Sequence, residues 1–123
     1  MEKLKFIAEQ LESIGVPYEF GEWSSAVQYP YFVGEITEEE PTTEDGLEPS
    51  TMLLTGFTRG EYLDLEIMKD KIKRHFHPIH GCHGWTDGGA IVVFYESAFY
   101  VPTGEADLKR IQINLQIKEW KVY

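Results

Sequence analysis

The chain has 123 residues, 42% of them hydrophobic and 14% aromatic, which is too apolar for a disordered chain and suits one domain spanning 1–123. Eleven Lys+Arg against 21 Asp+Glu give a formal charge of −10, which disfavours sequence-specific nucleic-acid binding and adhesion to anionic membranes. Cys82 is the one cysteine, so no intrachain disulfide can form; no signal peptide or spanning segment is read, and a cytoplasmic setting is expected.

Residues 2–14 are expected to form a helix. Leu4, Ile7, Ala8, Leu11 and Ile14 recur at helical spacing, Gly15 suits the left-handed cap, and Pro17 blocks continuation. The aromatic stretch Tyr18, Phe20, Trp23 suggests a brief edge strand. Residues 30–36 and 51–58 read as two strands of a hairpin. Between them, residues 38–49 hold six carboxylates and one large apolar residue, Leu47. That predicts a long, exposed acidic loop at about 37–50.

A second helix is expected over 60–76, with Leu63, Leu65, Ile67, Met68, Ile72 and Phe76 buried and Thr58–Glu61 as a capping box. Its acidic residues come early and Lys69, Lys71, Lys73 and Arg74 late, which complements the helix dipole. Residues 90–95 form an apolar run typical of a central strand, continuing less regularly to 101. Residues 111–117 alternate cleanly, and a shift of phase afterwards suggests a bulge near Lys118–Glu119. The order helix-strand-strand-helix-strand-strand predicts an α+β fold: a four-stranded, mainly antiparallel sheet with two helices packed on one face.

Two constellations bear on function. All four histidines and the cysteine fall within residues 75–83. Imidazole and thiolate suit zinc, and His77, His80, Cys82 and His83 would be the ligands. The spacing fits no paired zinc pattern, so the expectation is an exposed loop without metal; the alternative is a small intracellular zinc domain built on this segment. The aromatics Tyr29, Tyr31, Phe32, Phe99 and Tyr100 are candidates for an interface, because Tyr and Phe favour such sites. No Gly-x-Ser-x-Gly, Walker or dinucleotide motif occurs, and no enzymatic activity or cofactor is expected.

Four segments carry a resemblance: Tyr-Phe-Val-Gly-Glu-Ile at 31–36, Glu-Asp-Gly at 44–46, Leu-Thr-Gly-Phe-Thr-Arg-Gly at 54–60, and Val-Pro-Thr-Gly-Glu-Ala-Asp-Leu-Lys-Arg-Ile-Gln-Ile-Asn-Leu at 101–115. They resemble small proteins of phage and prophage structural gene clusters in Gram-positive bacteria. Element order and length are similar to the tail-terminator and head–tail joining group. The resemblance implies a virion assembly protein acting as a homo-hexameric ring, with tail-tube and connector proteins as partners. It also implies a place in the host cytoplasm during assembly and then in the virion or a prophage-derived tail. An acidic lumen would let DNA pass without holding it.

Overall fold

The computed structural model describes residues 2–24, 26–38, 47–86 and 88–121. Helix α1 (Glu2–Ser13) leads into the strands β1 (Tyr18–Phe20), β2 (Tyr31–Glu38) and β3 (Leu47–Thr58). Helix α2 (Tyr62–His75) follows, and then β4 (Cys82–Thr86), β5 (Gly89–Val101) and β6 (Lys109–Lys121). The sheet is not the four-stranded antiparallel one expected. It is a curled, mixed sheet of six strands in the order β1-β2-β3-β6-β5-β4. The parallel pair is β1 with β2, and the other four pairings are antiparallel.

The two strands beyond those four lie at the edges: β1 is the brief edge strand that Tyr18 and Phe20 suggest, and β4 is unexpected. β1 has three residues, too few for a pattern. β4 is Cys-His-Gly-Trp-Thr, whose composition looks like a ligand cluster although its burial alternates as a strand's does. The acidic loop is shorter than expected, because Thr37 and Glu38 complete β2 and residues 47–50 begin β3. Residues 39–46 between them lie outside the described residues.

One face of the sheet holds the core. β6 supplies Ile111, Ile113, Leu115 and Ile117, β3 supplies Met52 and Leu54, and β5 supplies Ile91, Val93 and Tyr95. Phe32, an interface candidate from the sequence, is fully buried here. Burying aliphatic side chains of this size contributes roughly 1.5–3 kcal/mol each. α2 lies over the middle of the sheet and buries Leu65 and Ile72, followed by Phe76. Leu63 and Ile67, expected inside, are 65% and 48% exposed. The helix touches the sheet along one narrow stripe, and its apolar residues are spread wider than that stripe. Its first turn is held by Asp64, whose carboxylate accepts from the Glu61 N–H at 3.0 Å. This cap, at Glu61, lies three residues later than the Thr58–Glu61 box expected.

α1 does not lie flat on the sheet beside α2. It touches both edge strands, β1 and β4, so it spans the gap that the curl leaves. Its C-terminus closes on Gly15 at φ 78, with Val16 N–H donating to the Leu11 carbonyl at 3.0 Å. No bulge occurs at Lys118–Glu119. The register runs unbroken there, and the irregularity sits in β5 between Tyr95 and Ser97. Glu119 therefore continues the inward row and is 3% exposed. Lys3 of α1 stands 3.6 Å from it and 2.8 Å from Glu38. A buried carboxylate without such a cation would be strongly destabilising.

The curl brings aromatic rings onto glycines. Phe32 and Gly56 are cross-strand partners, and the Phe32 ring occupies the space a Gly56 side chain would fill. The Tyr18 ring lies likewise on Gly34, where an added Cβ would stand 2.6 Å from its hydroxyl oxygen. That hydroxyl is buried with no hydrogen-bond partner, and burial pushes its pKa up to about 12 from 10.0.

Two outcomes follow for stability in urea. Gly56→Ala should cost about 1–3 kcal/mol through overpacking, whereas Tyr18→Phe keeps the ring, removes an unpaired polar atom and should be neutral or stabilising by up to about 1 kcal/mol. A tyrosine whose folded pKa is raised favours the fold below its unfolded pKa, and that contribution is lost as pH climbs through the folded value. The wild type should lose stability between about pH 10 and about pH 12, and Tyr18→Phe should lose less. Equal alkaline loss in both proteins would show that the Tyr18 hydroxyl is not desolvated.

Candidate interaction surfaces

The described aromatics divide into groups set by strand register. Tyr31 begins β2 and pairs with Phe57 near the end of β3, both on the outer face. Their rings stack at 5.2 Å, Trp23 packs on Tyr31 at 4.9 Å, and Tyr29 at 5.6 Å. Arg59 joins this cluster: its Nε donates to the Tyr29 hydroxyl at 3.1 Å and its Nη1 to Asp107 at 2.8 Å. These bonds, the Tyr29 one foremost, hold the guanidinium more firmly protonated. Burial, followed by the neighbouring Tyr29, raises the Tyr31 pKa. Trp, Tyr and Arg are the residue types most enriched at interface hot spots. Tyr29 and Tyr31 are legible in the sequence; Phe57 and Arg59 approach them only when β2 pairs with β3, and Trp23 lies in the connection from β1 to β2.

Tyr100 belongs to a second group. The irregularity in β5 turns Tyr100 toward the α2 side, opposite Ile111, and turns Phe99 outward opposite Gln112. Tyr62 of α2 meets the Tyr100 ring edge-on at 5.1 Å, and the Tyr100 hydroxyl donates to Glu66 at 2.7 Å. Glu66 is also paired with Lys69 at 2.5 Å. That pairing, with the Tyr100 bond second, lowers the Glu66 pKa, while desolvation and Glu66 raise that of Tyr100. Beside this pair lie the exposed Leu63 and Ile67. The result is an apolar helix face with a hydrogen-bonded aromatic rim. Phe99, 49% exposed, stands apart on the outer face of the sheet.

The histidine–cysteine segment does not converge on one point. His75 ends α2, and Cys82 and His83 lie in β4, so the segment is only in part the exposed loop expected. His77 caps the turn between them: its Nδ1 accepts the N–H groups of Ile79 and His80 at 3.1 and 3.2 Å. His83 Nε2 donates to the His80 carbonyl at 2.6 Å. The Cys82 thiol points to the other side, donating to Gln10 Oε1 at 3.5 Å, where His75 Nε2 also donates at 2.6 Å. His77, His80 and His83 thus serve their own turn, while Cys82 and His75 join α1 to α2 and β4. Among the described residues no group of three or more His, Cys, Asp or Glu is placed to hold a metal ion. Among them, too, no helix is long and apolar enough to cross a membrane.

No protein-family model matches the chain, and no curated protein matches it in sequence. The fold does have a solved counterpart. A chain of the virion of a native gene transfer agent particle is similar over 96% of this chain and 89% of that one, with a TM-score of 0.62 and 9% identity. At that identity the likeness is one of fold.

Burial raises the Cys82 pKa, which keeps the sulfur as thiol and slows its chemistry. Alkylation by iodoacetamide at neutral pH should be slower than that of free cysteine, with the rate still rising above about pH 8.5. A rate profile matching free cysteine would place the thiol in solvent.

Proposed function

We propose that this protein is a virion assembly component of a phage-like particle, a tail terminator or head–tail connector that works as a homo-oligomeric ring. The observation that carries the reading is the fold likeness to a chain of a gene transfer agent virion, which extends over nearly the full length of both chains. The sequence resemblance to phage structural proteins supports it separately. The surfaces suit the role: one aromatic–arginine cluster and one exposed apolar helix face on a single small chain are two places for contact. A charge of −10 per subunit suits a channel through which DNA moves, since carboxylates repel its phosphates. The same charge opposes assembly, and salt or Mg²⁺ weakens that repulsion.

Sedimentation of the purified chain across a salt and Mg²⁺ series, with negative-stain microscopy, tests the reading. Rings, hexameric by the family resemblance, should gain population as ionic strength rises, and the chain should bind the ends of cognate tail tubes. A strict monomer under every condition, with no binding to tail tubes, overturns it.

A further inference from the structure

The charge of this chain is divided along its length. Residues 1–50 hold twelve acidic residues and two basic ones, a net charge of −10, whereas residues 51–123 hold nine of each. The acidic part comprises α1, β1, β2 and the start of β3. At the β1–β2 edge, residues 18–38 hold four acidic residues and no basic one, with Glu22 and Glu35 exposed and Phe20 of the edge strand 45% exposed, and α1 adds the exposed Glu9 and Glu12 between that edge and β4. The neutral part includes α2, whose solvent side presents Tyr62, Leu63 and Ile67. The last turn of α2 adds the exposed Lys73, whose ammonium lies over the Tyr95 ring at 5.5 Å, and the exposed Arg74, against one exposed acid, Asp70, in the turn before. One surface is apolar and locally cationic; the other is apolar at Phe20 and anionic at Glu22, with Glu35 on the outer face of the same edge.

We infer that these two surfaces are halves of one interface between copies of this chain: the solvent face of α2 on one copy seats against the β1–β2 edge of the next. The occupant is a second copy because the counter-charge and the exposed apolar residue that the α2 face needs are both present on this chain. Apolar contact at Leu63, Ile67 and Phe20 drives association, and Lys73 and Arg74 opposite Glu22 and Glu35 set its direction. The two halves are different surfaces, so the contact is heterologous. After one contact forms, one copy keeps its edge half free and the other its helix half, and such contacts close into a ring when the rotation allows. This inference rests on the ring reading above and adds the residues and polarity of the contact.

Two exposed-surface variants test it. Leu63→Asp/Arg74→Glu removes the helix half, and Glu22→Lys/Glu35→Lys removes the edge half. Far-UV circular dichroism and thermal melting check that each is folded. Each variant alone should stay monomeric at concentrations about tenfold above those at which the wild type assembles. Mixed in equal amounts they should give heterodimers and nothing larger, because one intact half survives on each. A second measurement does not depend on disrupting the surface: in a Cys82→Ser background, Ile67→Cys and Glu22→Cys chains, mixed under mild oxidation, should form a disulfide-linked dimer. Ring formation by either variant, or no cross-link in the mixed sample, overturns the interface and leaves the ring reading standing. Assembly of the edge variant alone into dimers would show a two-fold helix-to-helix contact and overturns it as well. A wild type that is monomeric throughout overturns both.

Discussion

The curl of the sheet depends on places where its concave face carries no side chain. Phe32 and Gly56 pair across β2 and β3, and the ring lies over the glycine. Tyr18 covers Gly34 in the same way. Side chains at these positions would push the rings outward and flatten the sheet. With glycine there, aromatic rings fill the concavity and the strands wrap around the core, which matches the general use of aromatics to cover strand glycines. The long, regularly paired β3 and β6 supply the staves on which this bend is built.

Curling brings the two sheet edges near enough for one helix to reach both. α1 packs on β1, and on the other side its Phe6 fills the space over Gly84 of β4. Its polar residues then become structural. Gln10 accepts from His75 and Cys82, and Lys3 stands beside the buried Glu119. The histidines and cysteine that resemble a metal cluster in sequence are used here as turn caps and as ties between helices and strand. Imidazole nitrogens and a thiol can satisfy backbone and side-chain amide groups in this way.

The same geometry leaves the outer face and the solvent side of α2 open. Helix α2 presses one narrow stripe on the sheet, so Leu63 and Ile67 remain outside. Exposed apolar residues of this kind bring no packing energy within the domain. Charge is divided as well: residues 18–38, which supply the β1–β2 edge, hold four acidic residues and no basic one.

Local patterning in the sequence determined both helices and the long strands. The stripe at Leu4, Ile7 and Leu11 and the alternation at 111–117 depend only on the period of each element, and Ile7, Leu11 and Ile111 through Ile117 fill the core as that period requires. The four aromatics at surface positions could be named from composition, but the sequence could not say that Phe32 is core while Tyr31, its neighbour, is surface. Tertiary structure alone decided β4, the place of the β5 irregularity and the fate of Glu119. β1 and β4 are three and five residues long, too short to show a period, and they form because a longer neighbour offers its backbone. Glu119 breaks the apolar alternation and reads as a change of phase, yet it keeps its inward position because Lys3, more than a hundred residues earlier, is brought beside it. A pairing of that kind leaves no mark on the residues around either partner, so only the folded chain contains it.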